Sequence, residues 1–413
     1  MATNPNDPVR NIVTRQIYLN RYSNNVSNRI LAILNNAYLD AVNQLRAIDL
    51  GQSGTSANSY HAQRLRAFML QTRQTIATAT IQAEGILIPA LQGVTEAQAE
   101  FIQRQLAIAI EGGVIDGRTI GKTLSADTIP SNVVVNTVEV PPNFAREIAT
   151  RDPNDIPLIL QRDKAQSLAK AVADTPVTVN LRTPLGTELA RTMDNVPIVK
   201  RFRAITEGSA DLFDRQVRIG LMQGETTDQI SRRLVGAVQY AEDRTFLGKG
   251  SAIEAKNAQV RTLVRTSVQS VTNAANQAVY QANQHVTKGY RYLATLDSRT
   301  SAPCRALDRK VFNHGEGPVP PIHFNCRSTT IPYINYEALG IPAPPTGTRA
   351  SVDGQVPADL SYEDWLKQQP AAAVQRILGK GKGKLFLEGK VTLSDMVRSD
   401  GREVTLAELK GLE

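Results

Sequence analysis

Cysteine is nearly absent: 413 residues hold two, Cys304 and Cys326. A pair of thiols so close in the chain excludes a disulfide scaffold, so stability has to come from apolar packing. Synthesis in a reducing cytoplasm is the expected setting. Aromatic residues make up only 5%, with a single Trp, which argues against an aromatic-rich β-sandwich. No stretch approaches the roughly 18 consecutive apolar residues of a membrane span. The opening MATNPNDPVRN lacks a charged start followed by an apolar core, so no signal peptide is expected either. A phosphate-binding loop is missing as well. The repeat Gly379-Lys380-Gly381-Lys382-Gly383-Lys384 has neither the spacing nor the Ser/Thr hydroxyl that holds magnesium, which excludes ATP hydrolysis by that route. Gly-x-Ser-x-Gly, the nucleophile elbow of serine hydrolases, does not occur.

What is abundant is Ala, Gln, Asn and Thr within a chain that is 41% apolar. That balance supports real cores and favours helices packed through small side chains, so a mainly α fold is expected. The formal charge is +8. Much of the excess lies in residues 197–292, with 14 Lys/Arg against 8 Asp/Glu, and in residues 1–90, with 8 against 4. A basic surface of this kind suits loose contact with a polyanion. Sequence-specific reading of DNA is not expected, because neither a recognition helix nor a zinc finger can be found.

Periodicity divides the chain into five parts: a helical N-terminal region (1–125), a mixed connector (126–199), a central helical domain (200–340), a Pro/Gly-rich linker (341–360) and a helical C-terminal unit (361–413). Apolar residues at three- and four-residue spacing predict helices from Asn11 to about Ala47, from about Ser59 to Ala83, and from a cap at Thr95 to Glu111. VIDGRTIG and NVVVNTVEVPPN look extended. A helix over Ile205 to Met222 hands over to a second through the capping box Thr226-x-x-Gln229. The clearest helix runs from Ala255 to His285, with Val260, Val264, Val268, Val271, Ala275, Ala278 and Ala282 on one stripe. Its other face, carrying Arg261, Arg265, Asn273, Asn276 and Gln284, is expected outside. Arg261 and Arg265 stand one turn apart, as candidates for a phosphate or a partner carboxylate. Beyond the linker, cap-like Ser361-x-x-Asp364, Thr392-x-x-Asp395 and Thr405-x-x-Glu408, with Trp365 as an anchor, predict a small helical unit.

The side chains able to do chemistry crowd between Asp297 and Arg327: two cysteines, two of the four histidines and several prolines. His323-x-x-Cys326 has the short spacer of half a structural zinc site, and Cys304 can reach across as a third ligand. Asp297, His314 and Asp308 are candidates for a fourth. A non-metal reading stands beside it: a compact, proline-clamped loop with Cys304 and Cys326 as small buried residues and Asp297 paired to Arg299 or Arg327.

The ordered set Asp297-Ser298-Arg299-Thr300-Ser301, Cys304, Leu307-Asp308 and Pro320-Pro321-Ile322-His323-Phe324-Asn325-Cys326-Arg327-Ser328 resembles the signature of the phage head morphogenesis family, the Mu F-like minor head proteins. Upstream, Gly224-Glu225-Thr226-Thr227 and Arg265-Thr266 resemble the turn and the Arg-Thr that precede that signature. Downstream, Tyr362 to Leu366, Leu378-Gly379 and Leu385-Phe386 resemble a tail common in the family. The resemblance runs from Ile205 to the C-terminus. Many members have two cysteines in the first part where this chain has only Cys304, with Ser301 at the other position, and Ser267 stands in place of the usual acidic residue.

The resemblance implies a head morphogenesis domain over 200–340. It implies a minor head protein of a tailed bacteriophage, located at the portal vertex or capsid interior after assembly in the host cytoplasm. Its implied partners are the portal protein, the major capsid protein and double-stranded DNA bound without sequence preference, with oligomers around the portal. Its role would be head assembly or genome delivery by binding and not by catalysis. The enzymatic alternative is a metal-dependent nuclease built on His314, His323 and Asn325, which lacks the usual acidic-His pair and strand-helix context.

Overall fold

The computed structural model describes residues 7–47, 60–111, 158–177, 179, 196–236, 250–341, 343–344 and 346–411. The extended segments expected within 114–143, and most of VTVNL, lie outside these residues. The fold is mainly α, with twelve helices and five short strands among the described residues. No helix among them is long and apolar enough to cross a membrane.

Two long helices open the chain, α1 (Pro8–Ala47) and α2 (Tyr60–Glu111). α1 begins three residues before the apolar period does, and the cause is Asp7-Pro8. The Asp7 carboxylate accepts the Arg10 N–H at 2.9 Å, and Pro8 sits where a missing N–H costs nothing. The sequence reading divides α2 near residue 90, but the helix is continuous through Pro89. An interior proline costs about 3 kcal/mol. Here Ala83, Leu87, Ala90, Leu91 and Val94 are buried in one stripe on both sides of it, and that packing holds the helix together. Thr95 is accordingly no cap: its hydroxyl donates back to the Leu91 carbonyl at 2.8 Å.

The later helices are α3 (Leu158–Asp174), α4 (Ile198–Met222), α5 (Thr227–Val235) and α6 (Glu254–Ala282). The capping box at Thr226 and Gln229 is formed in both directions. α6 lies against α1, α2 and α4, and its residues Val260, Leu263, Val264, Val268 and Val271 share one core with α1 and α2. Of the face expected outside, Gln284 is exposed and Arg261 and Arg265 are half-buried, but Asn273 and Asn276 are buried, together with Gln269. They sit in an amide network in which Gln98 donates to Asn276 at 2.9 Å and Gln16 donates to Gln269. Helices on both sides cover α6, so a polar stripe that looked like a surface is an interior seam whose amides satisfy one another.

α6 runs into β1 (Thr287–Leu293), which pairs antiparallel with β2 (Val311–Asn313) on one side and β3 (Thr329–Ile334) on the other. Between them lies the short helix α7 (Ala302–Leu307). After β3 and the one-turn α8 (Tyr336–Leu339), the stretch expected as a linker forms a hairpin of β4 (Thr348–Ser351) and β5 (Gly354–Pro357). The second Asp7 oxygen accepts the Thr348 N–H at 2.6 Å and its hydroxyl at 2.9 Å. One carboxylate therefore caps α1 and fastens the hairpin. Four short helices end the chain: α9 (Tyr362–Lys367), α10 (Ala371–Leu378), α11 (Lys380–Leu387) and α12 (Leu406–Lys410). They enclose a separate core of Tyr362, Trp365, Leu366, Val374, Leu385, Phe386 and Leu409.

Candidate functional site

The Cys/His knot sits at the edge of the three-stranded sheet, between the end of β1 and the start of β3. α7 carries Cys304, and Ser301 precedes it as the N-cap. The turn His323 to Cys326 is closed by the Cys326 N–H donating to the His323 carbonyl at 3.2 Å. Asn325 takes a left-handed conformation there, φ 58°, which Asn tolerates better than most residues. The turn is pinned to α6, because Thr266 accepts the Asn325 N–H at 3.1 Å. The Pro320–Pro321 bond just before it is cis.

These local structures bring three side chains together. Cys304 Sγ lies 3.7 Å from Cys326 Sγ and 3.2 Å from His323 Nε2, and the three ligand atoms lie within 4.8 Å of one another. Ser301 Oγ is 2.8 Å from the same His323 nitrogen, and the Tyr292 hydroxyl is 3.1 Å from Cys304 Sγ. Both cysteines are buried and unbridged. The other ring nitrogen, Nδ1, faces the Phe324 carbonyl at 2.8 Å. A carbonyl can only accept, so Nδ1 carries a proton and the tautomer is fixed.

The charge distribution follows from these contacts. The hydrogen bond from Cys326 holds the Cys304 thiol down, to about 4, against the opposing effect of burial and with help from His323, Ser301 and Ser328. The same sulfur–sulfur contact pushes Cys326 well up, with burial and the Cys304 charge adding to it. The hydrogen bond to Cys304 raises His323, with burial opposing. The arrangement is one low-pKa sulfur held between the second thiol and the His323 ring.

The three acidic or basic candidates for a fourth ligand stand elsewhere. Both Asp297 oxygens face Arg327, at 2.5 and 2.7 Å, while Arg299 approaches only to 4.0 Å and is largely exposed. Asp297 is thus an anchor, which also accepts from Thr300 and the Arg299 N–H. His314 is tied to Thr287, at 3.0 Å to its hydroxyl and 3.0 Å to its carbonyl oxygen. Asp308 is fully consumed: it accepts the Ala294 and Tyr362 N–H groups at 2.7 Å each and pairs with Arg349 at 3.1 Å through both oxygens. Arg349 and Asp308 side chains are each 1% exposed. Nothing in the sequence marks Arg349, a lone cation in a Pro/Gly-rich stretch. Tyr292 had a signal, the Tyr-Arg-Tyr alternation of a half-buried strand.

Arg261 and Arg265 are not a free pair. Arg261 donates to Asn28 at 2.6 Å, and Arg265 donates to Asn24 at 3.0 Å and Asn325 at 3.2 Å. They bridge α6 to α1 and to the knot. Ser267, where the resemblance leads one to look for an acid, is buried, and its hydroxyl has no hydrogen-bond partner among the described residues.

Around the two cysteines, then, the chain forms a proline-braced knot beside a small sheet in a mainly helical fold. Comparison with known families bears on this region: residues 211–331 match the family described as Phage Mu protein F like protein, which supports the resemblance to the phage head morphogenesis family. The matched span runs from within α4 to within β3 and takes in the whole knot. No curated protein matches the chain, and no solved structure does.

Proposed function

We propose that the protein is a minor head protein of a tailed bacteriophage, located at the portal vertex or capsid interior, which acts in head assembly or genome delivery by binding. The match of residues 211–331 to the Mu F-like family carries this reading, since a helical fold alone names no function. The geometry supports it: Asp297, Asp308, Arg327 and Arg349 are spent on holding the chain to itself, so the signature residues read as architecture. The basic balance of the chain suits contact with the packaged genome through phosphates, independent of sequence. The long α1 and α2 are the candidate surfaces toward portal or capsid protein. Mass spectrometry of purified particles before and after DNA release tests the reading. Its expected result is a few copies per particle; absence from intact particles overturns it.

A further inference from the structure

We propose that Cys304, His323 and Cys326 bind one zinc ion, with the Ser301 hydroxyl at the fourth position. The inference rests on the geometry of the knot and stands apart from the head-protein reading. In a tetrahedral zinc site, with Zn–S about 2.3 Å and Zn–N about 2.0 Å, two sulfurs stand about 3.8 Å apart and a sulfur and a nitrogen about 3.5 Å. The corresponding separations here are 3.7 Å between the sulfurs and 3.2 Å from Cys304 Sγ to His323 Nε2. All three ligand atoms lie within 4.8 Å of one another, and both cysteines are buried and unbridged.

The surroundings are those of a metal site. His323 turns Nε2 toward Cys304 and Ser301 while Nδ1–H is held by the Phe324 carbonyl at 2.8 Å, the orientation outer-shell partners give to metal-ligating histidines. The Tyr292 hydroxyl, 3.1 Å from Cys304 Sγ, positions and stabilises that thiolate. Asp297 is withdrawn by Arg327 and Asp308 by Arg349, which leaves two sulfurs and a nitrogen as the main donors, with one hydroxyl and no carboxylate. That set selects zinc over magnesium or calcium. Ser301 Oγ, 2.8 Å from His323 Nε2, is a side chain placed to complete four-coordination. It stands at the first position of a C-x-x-C spacing with Cys304. Binding releases the proton shared by the cysteines and the one shared with His323; no bond in any other molecule forms or breaks.

The test uses the full chain purified without a histidine tag, kept reduced, stripped of metal and titrated with zinc alone and with cobalt alone. The expected result is saturation at one equivalent, with cobalt giving a thiolate charge-transfer band and the visible spectrum of a tetrahedral centre. Ser301→Cys is expected to tighten zinc binding and shift the charge-transfer band toward three thiolates. Tyr292→Phe is expected to weaken binding roughly 10-fold while keeping the tetrahedral spectrum. Both variants keep the three ligands, so they remain informative where Cys326→Ser fails to fold. Overturning results are titration without saturation, an octahedral cobalt spectrum, or a Ser301→Cys chain that binds no better than the parent. A Cys304–Cys326 disulfide that re-forms under the reducing conditions of the titration also overturns the proposal.

Discussion

Asp308 receives two backbone N–H groups and a buried guanidinium, from three separate stretches of chain. Removing one member of a buried ion pair leaves the other charge without compensation, at a cost of about 3–5 kcal/mol. Asp308→Ala is therefore expected to destabilise by that amount in chemical denaturation, and more than Asp297→Ala, whose partner Arg327 is about one-fifth exposed. Asp297 supplies the acid dependence. Burial alone would raise its carboxyl, but Arg327, the Arg299 N–H and Thr300 outweigh that and hold it below the usual carboxylate range. A depressed folded-state value gives stability that is fully present above about pH 4, the unfolded value. It is lost as pH falls through the depressed value. The acid limb of a melting-temperature profile is expected to flatten in Asp297→Asn; an unchanged limb contradicts this role. At this scale the sequence was partly legible. The crowding of Cys, His and Asp marks the knot, and Asp297 with Arg327 is one of the two pairings that the sequence offers. The Asp308–Arg349 pair is not among them, because its halves are 41 residues apart and Arg349 lies in a stretch that reads as a linker.

Among the elements, the sheet is the piece that sequence showed least, and its position explains the knot. β1 leads into Ala294 and Asp297, β2 follows α7, and β3 starts two residues past Arg327, so the sheet fixes both arms of the loop that carries the sulfurs. Its strands are three to seven residues long, too short for alternation to stand out against flanking loops. Gly289 is the point on which the β1–β2 pairing turns. A Cβ there would lie 1.9 Å from the Phe312 carbonyl oxygen, a backbone atom that cannot give way without moving the strand. Gly289→Ala is expected to separate β2 from β1, visible as rapid amide exchange at residues 311–313 and a lower melting temperature, while exchange in α1 and α2 stays slow. Protection retained at β2 would sink the assignment. The helices were far more legible, since three- and four-residue spacing survives over dozens of residues. α3 (Leu158–Asp174) falls in the stretch read as a mixed connector, and two further departures have packing causes. Pro89 is carried through by the apolar stripe around it, and the amide face of α6 is roofed by α1, α2 and the loop before β3.

Across the whole molecule, α1 is the spine. It meets α2, α5, α6, β3 and β4, joining the Mu F-like region to both the N-terminal helices and the hairpin that precedes the C-terminal unit. Arg261 and Arg265 are part of that joining, through Asn28 and Asn24 of α1. Retention on DNA is therefore expected to reflect the summed basic surface. In a filter or mobility assay it should fall steeply with added salt and ignore sequence, and a salt-insensitive, sequence-selective complex would count against it. The central claim is that the knot at Cys304, His323 and Cys326 is architectural. Incubating the full chain with plasmid DNA and magnesium, manganese or zinc tests it most directly. The account predicts intact plasmid under every condition, for the parent and for His323→Ala alike. Cleavage by the parent that disappears in a folded His323→Ala chain would contradict it.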